Sequence, residues 1–144
     1  MKVIFLDIDG VLIPAQGGRD VSADVDGRTW VADRGCIQRL NEICRWTGAW
    51  IVLSSTWRKF KGWQKILAGW GIQGQFLGGT PVFHGSERGD EIGAFLAVYA
   101  KIESYIILDD DADMGLHLSC LVQTNPLVGL SIDDMNRAVR LLNS

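Results

Sequence analysis

The stretch KVIFLDIDG, residues 2–10, places an apolar run directly before two aspartates and a glycine. An apolar run of this length, bounded by polar residues and glycine, predicts a buried β-strand over residues 2–6. Loops at the ends of such strands often carry functional groups, so Asp7 and Asp9 are candidates for a site. Two carboxylates at positions i and i+2 can point at one centre, and Gly10 lets the backbone turn sharply behind them. The stretch therefore predicts a strand that delivers a pair of carboxylates.

The remainder of the chain alternates short apolar runs with segments of helical periodicity. Further strands are predicted at residues 50–53, 75–77, 105–108 and 120–123, and helices at residues 33–46, 63–70, 89–100 and 131–142. Strands that alternate with helices predict an α/β fold, here a Rossmann-like three-layer sandwich around a parallel five-stranded sheet. The polar, glycine-rich residues 15–30 predict a small hairpin or flap. The length fits one domain over residues 1–144.

Composition and charge restrict the classes of protein to which the chain can belong. Hydrophobic residues make up 47% and charged residues 22%, which indicates a globular protein rather than a disordered one. The net charge of −3 argues against a nonspecific nucleic-acid coat but permits a local basic groove. No apolar run is long enough to span a bilayer, and the acidic N-terminus is unlike a signal peptide. Three cysteines without a CxxC spacing predict free thiols and a cytoplasmic location. The lack of a spanning apolar run predicts no membrane partner.

Polar clusters follow three of the predicted strands, at the sheet edge where parallel α/β folds bind ligands. Asp7 and Asp9 follow the first strand, Ser54 and Ser55 the second, and three consecutive aspartates, residues 109–111, the fourth. Carboxylates gathered at one edge repel one another unless a cation lies among them. An all-oxygen ligand set suits a hard cation, and Mg²⁺ is the usual choice beside a phosphate. Solvated loop aspartates are the alternative, but two clusters that each follow an apolar strand argue against it.

Four motifs of the sequence resemble those of the haloacid dehalogenase (HAD) superfamily of phosphatases. FLDIDGVL is similar to the first motif, VLSSTWR to the second, and ILDDDADM to the fourth, acidic, motif. The third motif is a Lys or Arg at the start of the helix before the fourth strand, and Arg88 in GSERGDEI is the best match. No Lys lies between Lys65 and Lys101, although Arg58 could supply part of the charge. SSTWR and LDDDADM are most similar to one branch, the HAD domain of Swiss Army Knife RNA repair proteins.

The resemblance implies a role for each matched residue. Asp7 would be the nucleophile and a ligand of Mg²⁺, and Asp9 the general acid/base that also binds the metal through its backbone carbonyl. Arg88 would stabilise charge on the phosphoryl group and hold Asp7 ionised. The other implied positions are Ser54, with Ser55 as the alternative, as the hydroxyl that binds the phosphoryl group; Asp110 as a metal ligand, assisted by Asp109 or Asp113; and Gly10, Ser55, Arg58 and Asp109 as contacts of the substrate.

The resemblance also bears on the reaction and the substrate. Dehalogenases of the superfamily lack an acid at the position of Asp9, so we expect a Mg²⁺-dependent phosphohydrolase that acts through an aspartyl-phosphate. Larger members carry a cap domain that closes over small substrates, whereas residues 10–33 leave room only for a flap. An open site favours a large phosphorylated substrate, such as a nucleic-acid end or a phosphoprotein. It could also serve nucleotides or other small phosphates.

Several alternatives stay open from the sequence. A phosphotransferase or mutase would use the same residues, and a non-catalytic binding module could keep the fold, although an intact set of site residues argues against that. A basic cluster after the second motif could bind a phosphate backbone or form a solvated helix face: Arg58, Lys59, Lys61 and Lys65. Trp57 and Trp63 could stack on bases or pack in the core. The oligomeric state is not indicated.

Overall fold

Eleven helices and strands make up the fold in a computed structural model that describes residues 1–144. In chain order they are β1 (Lys2–Leu6), β2 (Val21–Val25), β3 (Arg28–Ala32), α1 (Arg34–Thr47), β4 (Trp50–Leu53), α2 (Trp63–Gly69), β5 (Phe76–Gly79), α3 (Arg88–Val98), β6 (Ser104–Asp109), β7 (Leu121–Gln123) and α4 (Ile132–Asn143), with short 3-10 turns at Thr56–Lys59 and Gly115–Cys120. Five strands form one parallel sheet in the order β5-β4-β1-β6-β7. The predicted α/β fold with a parallel five-stranded sheet is therefore confirmed.

The central strand of the sheet is β1, which pairs in parallel with β4 on one side and β6 on the other. Leu6 lies opposite Leu53 of β4 and Leu108 of β6. Because the strands are parallel and in this register, the residues that follow these three positions emerge side by side at one edge of the sheet. The three predicted polar clusters thus meet at the carboxyl ends of the central strands.

Side chains of the sheet alternate between two cores, one on each face. Ile4 and Leu6 of β1 belong to the larger core, which α1, α2 and α4 cover. Val3 and Phe5 belong to the second core, on the face where α3 packs. β1 is therefore buried on both faces, which explains why its sequence is a continuous apolar run rather than an alternating one. The three-layer arrangement is confirmed.

The element boundaries differ only slightly from those predicted, and one difference matters for the site. α3 begins at Arg88 rather than at residue 89, so this side chain leaves the first turn of the helix. β5 spans Phe76–Gly79 rather than residues 75–77. β7 begins at Leu121 because a 3-10 turn occupies the preceding residues. The structure contains no helix with the length and apolarity needed to cross a membrane.

The predicted flap is a hairpin formed by β2 and β3, and no cap domain is inserted after β1 or β4. Its turn residues, Asp26 and Gly27, both have positive φ, 54° and 73°, as the tight turns that match strand twist require. The indole N–H of Trp70, the residue directly after α2, donates to the backbone carbonyl of Trp30 at 2.9 Å. Gly69 of α2 has no Cβ, which allows Ala23 of β2 to lie directly against it. The flap is thus fastened to the body of the protein.

A buried ion pair joins the turn after β4 to α3. The guanidinium of Arg58 lies 2.8 Å from the carboxylate of Glu91, and the two side chains are only 5% and 10% exposed. The same guanidinium donates to four backbone carbonyls, those of Ser54, Ser55, Thr80 and Pro81. The same oxygen of Glu91, Oε2, also accepts a hydrogen bond from the backbone N–H of Phe83. The pair therefore ties α3 to the ends of β4 and β5.

Breaking this pair on one side is expected to destabilise the fold strongly. Glu91→Gln removes the negative charge and leaves the buried guanidinium of Arg58 uncompensated, which we expect to lower the free energy of unfolding by about 3 kcal/mol. Urea denaturation of the wild type and the variant measures this change. Glu42→Gln is the matched control, because Glu42 also pairs with an arginine at 2.8 Å but on an exposed helix surface. We expect it to change stability by less than about 0.5 kcal/mol, and equal effects of the two variants would contradict the prediction.

Candidate functional site

Three carboxylates converge at the carboxyl ends of β1 and β6. Asp7 follows β1, Asp109 ends β6, and Asp110 is the next residue; their closest carboxylate oxygens lie within 4.8 Å of one another. Asp7 is 8% exposed and Asp109 1% exposed. The backbone N–H of Asp7 donates to the carbonyl of Leu108 at 2.9 Å, so the strand ladder itself sets the position of Asp7 beside Asp109.

Gly10 makes room for the third carboxylate. Its φ is +81°, a conformation that glycine adopts without strain. A Cβ at this position would lie 2.6 Å from the carboxyl carbon of Asp110. The carbonyl of Gly10 accepts a 2.7 Å hydrogen bond from the hydroxyl of Thr124, which follows β7. Gly10, predicted as a substrate contact, is therefore placed where it lets Asp110 approach the other two carboxylates.

Arg88 provides the positive charge of the cluster. Its guanidinium lies 3.7 Å from Asp7 Oδ1 and 3.7 Å from Asp109 Oδ2, within ion-pair range but beyond a hydrogen bond. Its Nη1 is buried and has no hydrogen-bond partner. Asp113 holds the start of α3 in place, because its side chain accepts from the backbone N–H of Arg88 and its carbonyl from that of Gly89. The structure thus brings Arg88 together with the two buried carboxylates.

Burial controls the protonation of these carboxylates in the protein without a bound cation. Burial raises the pKa of Asp7 to about 6, although the charge of Arg88 opposes the shift. Burial and the charge of Asp7 raise the pKa of Asp109 to about 8. One arginine therefore does not compensate the desolvation of both groups. A cation among these oxygens would favour their ionised forms.

The two serines after β4 have different surroundings. Ser54 is fully buried and its hydroxyl has no hydrogen-bond partner. The hydroxyl of Ser55 accepts from the backbone N–H of Trp57 and caps the 3-10 turn. Because buried hydroxyls are nearly always paired, the free hydroxyl of Ser54 is the one of the two that a ligand could engage.

Unpaired polar atoms concentrate at this edge of the sheet. Six buried side-chain atoms lack a hydrogen-bond partner, and five of them belong to residues that end β6, follow β4, β5 or β6, or begin α3: Ser54 Oγ, Thr80 Oγ1, Arg88 Nη1, Asp109 Oδ2 and Asp113 Oδ1. A hard cation and an oxyanion would satisfy the acceptors and donors among them. The oxygen-only donor set of Asp7, Asp109 and Asp110 fits a divalent cation of the magnesium type.

Asp9 does not belong to the group of three converging carboxylates. Asp9 is exposed, and its Oδ2 accepts a 3.1 Å hydrogen bond from the indole N–H of Trp57. Trp57 itself is 8% exposed and packs against Trp30 of the flap and against Trp70. The side chain of Asp9 is therefore held at the mouth of the site by a buried donor. Only its backbone remains available for the predicted metal contact.

Two residues predicted as substrate contacts have a different placement, and two side-chain hydrogen bonds at the site were not apparent from the sequence. The donors of Arg58, predicted to touch the substrate, are directed at Glu91 and backbone carbonyls inside the protein. Asp109, also predicted as a substrate contact, lies in the carboxylate cluster. The link from Trp57 to Asp9 joins residues 48 positions apart, so no local pattern could show it. The partner of Thr124 is still farther away, at Gly10.

The fold and the site together define the class of protein. A parallel sheet with carboxylates after the central strand, a buried serine hydroxyl after its neighbour and an arginine at a helix start is the arrangement of a HAD-type domain. A family model for the HAD domain in Swiss Army Knife RNA repair proteins matches residues 3–135, and the chain belongs to this family. Membership supports hydrolase activity on phosphorylated compounds. No curated protein matches the chain.

The buried carboxylates are expected to make stability fall as the pH rises. In the unfolded chain Asp7 and Asp109 titrate near 3.8, whereas in the fold the pKa values are about 6 and about 8. Between these limits the folded state holds protons that the unfolded state has released, so stability is fully present below pH ~4 and is lost as the pH rises through 6 to 8. Thermal unfolding without divalent cations, followed from pH 5 to pH 8.5, measures this loss.

Asp109→Asn should remove most of this loss. Each pKa unit corresponds to about 1.4 kcal/mol, so we expect the variant to melt at least about 3 °C above the wild type at pH 8. Mg²⁺ should raise the melting temperature of the wild type at pH 8 and have less effect on the variant. Asp111→Asn, in the exposed part of the same acidic run, serves as the control. If the melting temperature of the wild type increased with pH while that of Asp109→Asn did not, the raised pKa of Asp109 would be contradicted.

Proposed function

We propose that this protein is a Mg²⁺-dependent phosphohydrolase that cleaves phosphomonoesters through an aspartyl-phosphate on Asp7. The observation that carries the proposal is the surroundings of this one carboxylate. It lies at the end of the central strand, beside the guanidinium of Arg88 and the acids Asp109 and Asp110. The unpaired hydroxyl of Ser54 follows the neighbouring strand. A nucleophile, a cation, a metal-binding set and a hydrogen-bond donor are thus gathered at one edge.

The reaction would proceed in two steps. An oxygen of Asp7 attacks phosphorus and the bond from phosphorus to the ester oxygen breaks, while Asp9 gives that oxygen a proton. Water then attacks the phosphorus of the aspartyl-phosphate and loses a proton to Asp9, which releases inorganic phosphate and restores both carboxyl groups. Arg88 and Ser54 would bind the equatorial oxygens of the phosphoryl group throughout.

Mg²⁺ would be held by Asp7, Asp109 and Asp110, the three acids whose oxygens already converge. When bound it neutralises charge on the phosphoryl oxygens and favours the ionised form of Asp7. Arg88 would then be the second positive charge at the site. Asp9 is not one of these three acids, and only its Oδ2 accepts from Trp57, so its carboxylate would be available for proton transfer.

A terminal phosphate on a nucleic acid is the best-supported substrate class. The flap is small and leaves the carboxylate edge without a cap, which accommodates the end of a long molecule. The family description, which refers to RNA repair proteins, agrees with a nucleic-acid end. Nucleotides and other small phosphates are the second candidate. Transfer of the phosphoryl group to an acceptor other than water would call for a site that excludes water, and the exposed Asp9 argues for hydrolysis.

Removal of either first-motif carboxylate should have a distinct effect. Asp7→Asn eliminates the nucleophile, so we expect phosphate release to fall by at least about a thousandfold. Asp9→Asn removes proton transfer and should slow turnover by about 10²- to 10⁴-fold. In that variant the phospho-enzyme should accumulate, which rapid acid quenching with radiolabelled substrate detects.

The assay compares oligonucleotides phosphorylated at the 5′ or 3′ end with small phosphate esters, with and without Mg²⁺. Asp111→Asn, which changes the exposed acid directly after Asp110, should keep wild-type activity. Full activity of Asp7→Asn would rule out the proposed nucleophile. If phosphate were released from small esters but not from oligonucleotides, the proposed hydrolase activity would stand and the nucleic-acid substrate would be excluded.

Trp57 is expected to act as a positioning residue through Asp9. Trp57→Phe keeps an aromatic ring in the cluster but removes the donor to Asp9 Oδ2, and we expect kcat to fall by about tenfold with little change in KM. Trp70→Phe is the matched control, because it also removes an indole N–H, but one that donates to the backbone carbonyl of Trp30 in the flap rather than to Asp9. Equal losses of kcat in the two variants would indicate a general effect of packing.

A further inference from the structure

A pocket of about 260 Å³ lies between the flap and the 3-10 turn that follows β4. Its walls carry three cations, two aromatic rings and one acid, from Arg28, Lys59, Lys61, Trp30, Phe60 and Asp26. We refer to it as the flap pocket. Its volume is slightly below the roughly 300–1,000 Å³ of most small-molecule sites, which is room for one ring system rather than for a duplex.

An exposed aromatic ring and a guanidinium lie close together at the flap pocket. Phe60 is 44% exposed, and its ring centroid lies 5.5 Å from that of Trp30. The guanidinium of Arg28 lies over the Trp30 ring, 4.7 Å from its centroid. A flat aromatic face and a flat cation at one opening are the groups on which nucleobases stack.

The indole of Trp57 contacts both the rings of the flap pocket and Asp9 at the carboxylate edge. Trp57 contacts Trp30 at 5.2 Å and Phe60 at 5.9 Å between ring centroids. On its other side the N–H of Trp57 donates to Asp9. Trp57 therefore connects Asp9, at the carboxylate edge, to both aromatic rings of the flap pocket.

The geometry points to the flap pocket as the subsite for a nucleotide unit of a single-stranded nucleic acid whose terminal phosphate lies at Asp7. This inference rests on the proposed function. A base would stack on Phe60 and on the Arg28 guanidinium, and the adjoining phosphodiester groups would meet Lys59 and Lys61. These cations are exposed and outnumber the single acid, although the whole chain carries a net charge of −3. The positive charge is thus local to this pocket.

The balance of charge and rings distinguishes a strand from other phosphorylated molecules. A mononucleotide places its only phosphate at Asp7 and leaves both lysines without a partner. A phosphopeptide supplies neither a row of phosphates for the lysines nor a base for the exposed ring of Phe60. A strand satisfies both sets of groups at once.

Binding of a strand without a terminal phosphate tests the subsite independently of catalysis. The probe is a fluorescently labelled single-stranded oligonucleotide with hydroxyl ends, and fluorescence anisotropy measures its Kd. Phe60→Ala should weaken binding about tenfold. The double variant Lys59→Gln, Lys61→Gln should reduce the slope of log K against log salt by about 1.4, since each phosphate contact contributes about 0.7 on single strands.

Two control variants lie away from the flap pocket. Trp46→Ala removes an exposed aromatic ring that also carries an arginine, Arg45, at 5.9 Å, but at the end of α1. Lys101→Gln removes an exposed lysine that follows α3. Both should bind the oligonucleotide as the wild type does. Equal Kd values for Phe60→Ala and Trp46→Ala would overturn the inference.

Kinetics separate the subsite from the proposed function. For an end-phosphorylated oligonucleotide, Phe60→Ala should raise KM about tenfold, while hydrolysis of a small aryl phosphate should be unchanged. An equal change for both substrates, or a phosphopeptide that is as sensitive as the oligonucleotide, would overturn the subsite. If no compound releases phosphate but the wild type binds the strand and Phe60→Ala does not, the proposed function fails and the subsite stands.

Discussion

The burial of several carboxylates beside a single guanidinium is the constraint on which the rest of the site depends. Asp7 and Asp109 are almost completely withdrawn from water and lie within 4.8 Å of each other and of Asp110. Arg88, at 3.7 Å from the two buried acids, offsets only part of the cost. The protein therefore keeps an unfavourable arrangement that a bound cation would relieve. Several residues outside the cluster keep its members in place, among them Asp113, the pair of Arg58 and Glu91, and Gly10.

Those supporting residues act on the backbone rather than on the carboxylates themselves. Asp113 accepts hydrogen bonds from the backbone N–H groups of Arg88 and Gly89 and so helps to determine where Arg88 leaves the first turn of α3. The buried pair of Arg58 and Glu91 ties the same helix to the ends of β4 and β5. Gly10 removes the side chain that would displace Asp110. Each contact fixes the distance between two segments that are far apart in sequence, which is why local changes at these positions would alter the site as a whole.

Much of the fold could be predicted from the sequence because its signals are local. The apolar runs, the glycine after α1 and the acids that follow strands are patterns within a few residues. The order of the strands in the sheet is not a local property, and the sequence predicted only that five strands form a parallel sheet. What could not be predicted depends on distant partners. The role of Arg58 is an example: it follows a phosphate-binding motif, which suggested substrate contact, but its partner Glu91 lies in a different helix. The link between Trp57 and Asp9 was hidden for the same reason.

The attachment of the flap has a kinetic meaning. Trp70 holds the carbonyl of Trp30, and Ala23 lies against the bare backbone of Gly69, so the hairpin is part of the packed body. A wall of this kind keeps one shape before and after a substrate arrives, unlike a lid that must close for each cycle. No lid would then have to open before the product leaves. Substrates would then be distinguished by how well they fit a preformed surface and how long they stay bound to it, rather than by whether a lid closes over them.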